Sequence, residues 1–216
     1  MIKAYRYRMT PDNGASDQAA GAAVPPPDAP VIDAPAIDSQ ASDGQASDSQ
    51  TASGPELHPL LAGLRFLIGR WEGAGVVGYP TMESAQFGQE LVFRHNGKPY
   101  LAYASRTWLL EDDGRIGRPL AEESGFWRPQ ADGRLEVVLA HASGISEIYY
   151  GQITGTKIEM ATDAVVRTAT AQDVTAGRRL YGLIGTDLGY AYDLAASGHP
   201  LQAHTSAQLK RVSFAG

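Results

Sequence analysis

Residues 69–82, GRWEGAGVVGYPTM, decide the fold that the sequence predicts. Alternate residues of a strand point to the same side of a sheet, which puts three glycines and a tryptophan together: Gly69, Trp71, Gly73 and Gly75. Such glycines let a strand bend sharply and approach its neighbour, while the tryptophan plugs the narrow end of a barrel. Alternatively, the missing side chains leave room for a flat ligand inside. The sequence leaves both explanations open.

A short helix is predicted directly before this strand. In PELHPLLAGLRFLIGRW, apolar residues recur at spacings of three and four, at Leu57, Leu60, Leu61, Leu64 and Ile68. This pattern is typical of an amphipathic helix. We expect the helix to cap one end of the structure.

Strand-like runs follow it along the rest of the chain. They cover residues 87–94, 100–109, 124–128, 134–140, 145–153, 157–162, 174–184, 188–195 and 201–212. Turn dipeptides such as Asp113-Gly114 and Asp132-Gly133 separate some of them, and no crossover helix intervenes. The pattern predicts an all-β fold, a roughly ten-stranded antiparallel barrel with a short N-terminal capping helix, because closure removes exposed edges.

The first part of the chain has a different composition. Within residues 1–55, a five-residue repeat places aspartates at Asp28, Asp33, Asp38, Asp43 and Asp48. A period of five fits neither helix nor strand, and the segment has too little apolar surface to offset its ordering entropy. We therefore expect a disordered acidic tail over residues 1–55 and a barrel domain over residues 56–216.

Composition restricts the function further. The 216 residues include no Cys, 43% are apolar, and the net charge is −6, so thiolate metal sites and covalent haem attachment are excluded. The mild acidity argues against nucleic-acid partners, and no apolar run is long enough for a membrane span. No apolar segment typical of a secretory signal follows Lys3, Arg6 and Arg8, so we expect a cytoplasmic protein. The sequence does not specify an oligomeric state.

Several motifs, in order, resemble the nitrobindin family. GRWEGAG at residues 69–75 matches the family's G-x-W-x-G-x-G, and Tyr-Pro-Thr follows at 79–81. GKPYLAY, ESGFWRP, LEVVLAHASGISEI and HPLQAHTSAQLKRV are also similar, so the resemblance covers about residues 60–212. It implies a ten-stranded barrel like that of fatty-acid-binding proteins, holding a solvent-accessible ferric haem b. It further implies nitric oxide binding and isomerisation of peroxynitrite to nitrate.

His204 is the first candidate for chemistry, because neutral imidazole is a common ligand of haem iron. By alternation alone it shares a polar strand side with Gln202, Ser206 and Gln208, which indicates a surface histidine. The resemblance instead implies that His204 is the axial ligand and the catalytic residue. That polar side must then face a cavity, at least around His204.

The resemblance also suggests further cofactor contacts. It implies that Thr81 lines the haem pocket, where its hydroxyl could donate a hydrogen bond, and that the motif residues Gly69, Trp71, Gly73 and Gly75 line it too. His141 lies in an otherwise apolar strand and is expected either to line the cavity or to be a hydrogen-bonded core residue. The remaining histidines adjoin turn residues and are expected in loops: His58, His95 and His199.

One position departs from the family pattern. Many members have histidine where PLAEESGF places Ala121. Hydrogen bonding in the distal pocket decides whether a haem binds or activates its ligand. The missing donor is therefore expected to affect the reaction rate or the choice of ligand. Glu122 and His141 are the candidates to replace it.

A haem-free carrier of a hydrophobic small molecule is the alternative, because G-x-W near the first strand also occurs in lipocalins. Such a carrier has no need of His204. A third hypothesis is an interaction module for partners of the acidic tail. Hydrolase elbows, zinc-protease motifs and Walker loops are absent from the sequence.

Overall fold

The computed structural model describes residues 54–212, and these form a closed antiparallel barrel preceded by one short helix. The strands are β1 Gly69–Tyr79, β2 Met82–Arg94, β3 Leu101–Leu110, β4 Ile116–Pro129, β5 Arg134–His141, β6 Ile145–Thr154, β7 Lys157–Arg167, β8 Val174–Ile184, β9 Asp187–Ala196 and β10 Gln202–Val212. Each strand pairs with the next along the chain, and β10 closes the barrel against β1. The predicted all-β barrel is confirmed.

The predicted acidic tail, residues 1–55, lies outside the described residues except for its last two positions. The division of the chain at residue 55 therefore stays a prediction.

The helix lies where the sequence predicts it, but it is a 3₁₀ helix, Pro59–Leu67. Its buried residues are Leu61, Leu64 and Leu67, a spacing that matches the three residues per turn of a 3₁₀ helix. The His58 ring nitrogen Nδ1 accepts a hydrogen bond from the Leu60 N–H at 3.2 Å and so caps the first turn. The helix thus presents one apolar stripe to the barrel.

Trp71 joins this helix to the barrel. Its side chain is 1% exposed, and its indole N–H donates to the Leu67 carbonyl at 2.8 Å. The Arg211 guanidinium lies 4.2 Å from the centre of the indole ring and donates to the Ile68 carbonyl. Trp71 therefore plugs the helix-capped end of the barrel.

The glycines beside Trp71 allow β1 to approach β10 closely. A Cβ added at Gly73 would overlap the Gln208 carbonyl oxygen, and one at Gly75 would overlap the Ser206 carbonyl oxygen. The space left by the missing side chains is therefore filled by the neighbouring strand. Of the two explanations that the sequence left open, the structure supports close strand packing.

We expect Gly73→Ala to lower the free energy of unfolding by about 2 kcal/mol or more, because backbone must move to admit the methyl group. Gly182→Ala is the matched control in the same barrel, since the atom nearest to a Cβ added there, the Thr156 carbonyl oxygen, lies at 3.6 Å. We expect that control to change stability by less than about 1 kcal/mol. Urea unfolding of both variants checks this, and equal losses would contradict the close-packing explanation.

β4 begins earlier than the sequence predicts, at Ile116 rather than residue 124. Its first half is largely exposed and contains Pro119, so it lacks the alternation that marks a half-buried strand. The pairing of β3 with β4 shifts register beside Pro119, which is where a sheet tolerates proline.

β7 and β8 form the shortest ladder of the barrel. Pairing covers Lys157 to Ala161 of β7 and Arg178 to Gly182 of β8, although β7 continues to Arg167 and β8 begins at Val174. Beyond the ladder, the Gly177 N–H donates to the Thr162 side-chain hydroxyl at 3.0 Å. The two strands therefore separate towards one end.

Within residues 54–212, no helix has the length and apolar character needed to cross a membrane.

Candidate functional site

A cavity of about 320 Å³ lies at the end of the barrel where β1 ends and β10 begins, opposite the helix. Its apolar lining includes Val77, Met82, Phe87, Leu120, Ile145, Val174 and Leu194. Its polar lining includes Gln89, Ser105, Glu123, His141, Glu147, Arg179, Tyr192, His204 and Thr205. This volume lies within the range of small-molecule sites.

His204 reaches this cavity because of a β-bulge. Ala203 pairs with Asp193 of β9, but Thr205 pairs with Tyr192, so His204 is an extra residue in β10. The bulge shifts the side-chain alternation, and both His204 and Thr205 line the cavity. The polar side of β10 therefore faces the cavity only around the bulge, because Ser206 and Gln208 beyond it are exposed.

The His204 ring is held in one tautomer. Its Nδ1 lies 3.1 Å from the Gly78 carbonyl oxygen, which can only accept, so the proton of the neutral ring is on Nδ1 and the Nε2 lone pair is free. Burial lowers the pKa of His204, the bond to Gly78 opposes this, and the charge of Arg179 lowers the pKa further. His204 is therefore a neutral imidazole at neutral pH, the form that binds metals.

A buried charge cluster lines the same cavity. The Arg179 side chain is 1% exposed and forms two parallel bonds with the Glu123 carboxylate, of 2.6 and 2.7 Å. It also lies 3.3 Å from the Glu147 carboxylate and donates to the Tyr149 hydroxyl at 3.0 Å. The Tyr103 hydroxyl donates to Glu123 at 2.7 Å. Each buried charge thus has partners, as burial in a low-dielectric interior requires.

The ionisation of the cluster follows from these contacts. Burial by itself would raise the pKa of Glu123, but the charge and hydrogen bonds of Arg179 lower it to about 2. Burial likewise opposes ionisation of Glu147, yet its bonds to His141 and the charge of Arg179 bring that pKa below its ordinary value. Burial would lower the pKa of Arg179, and Glu123 raises it well above the ordinary value. All three groups are charged at neutral pH.

His141 lies between the two carboxylates and lines the cavity. Its Nε2 lies 2.8 Å from Glu147 and its Nδ1 lies 3.3 Å from Glu123. His141 therefore lines the cavity and is also a hydrogen-bonded residue, since both of its ring nitrogens lie beside carboxylates.

The other predicted cofactor contacts are placed differently. Thr81 is exposed in the turn between β1 and β2, and among the described residues it is not part of the cavity lining, whereas the adjacent Met82 is. Gly69, Trp71 and Gly73 also lie outside that lining. Gly75 borders a separate groove of about 670 Å³ on β1, β8, β9 and β10. In the structure these residues pack strands and helix together, and their contact with a cofactor stays a prediction.

Ala121 does line the cavity. Of the two candidates to replace the missing histidine there, Glu122 points outward, with 60% of its side chain exposed and its carboxylate 3.6 Å from Arg106. Glu122 therefore cannot serve the cavity, and His141 is the candidate that faces it.

Sequence reasoning missed the charge cluster, although the sequence carries a signal for it. Arg179 occupies the same strand side as Gly177 and Tyr181, and Glu147 the same side as Ile145 and Tyr149. A charged residue in the apolar phase of a strand indicates either a wrong register or a buried, paired charge.

Comparisons with known proteins agree with this geometry. The family model of the THAP4-like, heme-binding beta-barrel domain matches residues 60–211. A peroxynitrite isomerase of Nocardioides sp. is 48% identical over 155 residues, covering 72% of this chain and 94% of the relative. A ferric nitrobindin-like protein of Thermobifida fusca is 46% identical over 172 residues, covering 73% of this chain and 96% of the relative.

Among solved structures, Rv2717c from M. tuberculosis has 39% sequence identity and a TM-score of 0.67, with 73% of this chain and 100% of that chain covered. The resemblance to nitrobindins is thereby confirmed. The match over nearly the whole barrel shows that this chain belongs to the THAP4-like haem-binding β-barrel family.

Proposed function

We propose that the chain binds haem b in the cavity, with His204 as the axial ligand of ferric iron, and that it isomerises peroxynitrite to nitrate. The observation that carries this proposal is the inward-facing, neutral His204 ring, whose Nε2 is left free by the bond from Nδ1 to Gly78. The names of the similar proteins supply the reaction. Nitric oxide binding at the same iron and a cytoplasmic location are part of the proposal.

The residues around His204 fit such a group. Apolar side chains of the cavity lining suit the faces and edges of a porphyrin, as Val77, Phe87 and Leu194 do. The Thr205 hydroxyl is buried without a hydrogen-bond partner, which is typical of a site that is completed by a ligand or water.

The protein residues have separate roles in this proposal. When bound, the haem supplies a ferric iron that acts as a Lewis acid towards the peroxynitrite anion. His204 would hold the iron through Nε2, and the Gly78 carbonyl keeps the other ring nitrogen protonated. We assign Arg179 to the integrity of the barrel interior rather than to anion binding, because two carboxylates neutralise it.

Haemin titration of the purified chain, followed in the Soret region, tests the proposal. We expect saturable binding at one haem per chain, and a pyridine haemochromogen spectrum typical of haem b for haem acquired in cells. Rapid mixing with peroxynitrite should then show decay about tenfold or more faster than an equal amount of free haemin gives, with nitrate as the product. Absence of saturable binding would leave the carrier alternative, and binding without acceleration would remove the isomerase.

Thr81 provides a smaller test. We propose that its hydroxyl donates to the bound haem, as the family motif implies, and we expect Thr81→Val to lower haemin affinity about three- to tenfold, the usual value of one hydrogen bond. Thr186→Val is the control, since Thr186 is also an exposed turn threonine. Equal affinities of the Thr81 variant and the unmodified protein would rule out this contact.

A further inference from the structure

Tyr79, the last residue of β1, connects β1 to β9 across the strand that carries His204. Its hydroxyl accepts a hydrogen bond from the Ala196 N–H at 2.8 Å. The same hydroxyl lies 3.2 Å from both the Leu194 and the Ala196 carbonyl oxygens, which share its single proton as acceptors. The side chain is 7% exposed, so these bonds are shielded from water.

The backbone beside Tyr79 is irregular just where it meets His204. The ladder of β1 with β10 ends at the pair Val77 and Thr205. The next carbonyl of β1, that of Gly78, accepts instead from the His204 ring at 3.1 Å. On the other side of β1, the pairing with β2 shifts register between Val77 and Tyr79. Regular sheet pairing therefore does not by itself fix the position of the Gly78 carbonyl.

The Tyr79 ring also contacts His204 directly. The two ring centres lie 5.5 Å apart with an interplanar angle of 84°, an edge-to-face arrangement. From another side, the Tyr192 ring lies 5.7 Å away at 69°. Tyr79 thus acts on His204 in two ways, through the carbonyl of the preceding residue, Gly78, and through the Tyr79 ring itself.

We propose that Tyr79 is the positioning residue of His204. Its hydroxyl bonds to β9 hold the end of β1 in place, which keeps the Gly78 carbonyl on Nδ1 and directs Nε2 into the cavity. This effect on the His204 ring is already present in the protein without haem. Its consequence for iron binding rests on the function proposed above.

Tyr79→Phe tests this, because it removes the hydroxyl and keeps the ring. In haem-free protein at mildly alkaline pH, ¹H–¹⁵N spectra of the imidazole should show that the Nδ1–H tautomer of His204 loses its dominance. Haemin affinity should fall about tenfold, as is typical when the outer partner of a metal-bound histidine is disturbed. Tyr100→Phe is the control, since that hydroxyl also forms a hydrogen bond, accepting from Asn96 at 3.1 Å, outside the cavity lining.

The two measurements distinguish the possible failures. An unchanged His204 tautomer in a folded Tyr79→Phe protein overturns the positioning role, whatever happens to haemin affinity. A changed tautomer in a chain that binds no haemin even when unmodified supports the positioning role and removes the proposed function. If Tyr79→Phe does not fold, 4-aminophenylalanine at position 79, which retains a donor, must preserve the tautomer. Loss of the Nδ1–H tautomer in a folded protein with 4-aminophenylalanine at position 79 overturns the proposal.

Discussion

We expect His204→Ala to abolish the Soret band of the haem-reconstituted protein. Losing the iron ligand should lower haemin affinity by more than the ten- to hundredfold typical of losing an outer partner of such a ligand. The substitution leaves the hydrogen-bonded strands on both sides of β10 intact, so the barrel should still fold. Haemin titration and circular dichroism on the same sample check both statements.

His199→Ala is the matched control for this variant. His199 is also a partly buried imidazole beside Tyr79, with ring centres 5.8 Å apart, but among the described residues it is outside the cavity lining. We expect His199→Ala to retain the Soret band. In His204→Ala, added imidazole should restore part of the band by occupying the vacated ligand position. A normal spectrum of His204→Ala without imidazole would contradict the assignment of this ligand.

Arg179→Met should produce the largest loss of stability among the substitutions considered. Removing the guanidinium leaves the Glu123 and Glu147 carboxylates in the interior without their cationic partner, and breaking a buried pair typically costs about 3–5 kcal/mol. Arg178→Met is the control one residue earlier, because Arg178 is 65% exposed and 3.2 Å from Asp193. A surface pair of this kind contributes about 0–1 kcal/mol. Equal losses in urea unfolding would show that the cluster contributes no more than a surface pair.

The pH dependence of stability should reverse in the same variant. In the unmodified protein the pKa of Glu123 is lowered from 4.5 to about 2, so its stabilisation is complete above the ordinary value and is lost as pH falls towards 2. Without Arg179, burial raises the pKa of that carboxyl in the folded state. Folding then takes up a proton, and Arg179→Met should gain stability as pH falls through the raised pKa. Urea unfolding across this pH range checks the sign, and parallel curves for the two proteins would contradict it.

Much of the barrel follows from the sequence because burial imposes a two-residue period. The run at residues 100–109 shows this period, and the apolar spacings of three and four before Trp71 predict the helix in the same local way, although not its 3₁₀ form. Residues 116–122 could not be predicted as strand because most of them are exposed and no apolar alternation marks them. Its pairing with β3 is a tertiary effect.

The site was less accessible to sequence reasoning. Alternation placed His204 outside, and only a resemblance indicated its role, because a bulge has no reliable local pattern. The contact of Arg179 with Glu123 joins residues that are 56 positions apart, and the period of one strand can indicate a buried charge but not its partner. Long-range geometry, rather than local preference, determines this part of the molecule.

The short ladder between β7 and β8 also affects how the barrel moves. Backbone pairs resist separation together, so local opening in a closed sheet costs least where the fewest pairs must part. The amides of β7 beyond Ala161 should therefore exchange with solvent sooner than those of β1, which is paired along both edges. Val174 of β8 lies beyond that ladder and lines the cavity, so local opening there would widen the cavity, while Trp71 and the helix keep the opposite end closed.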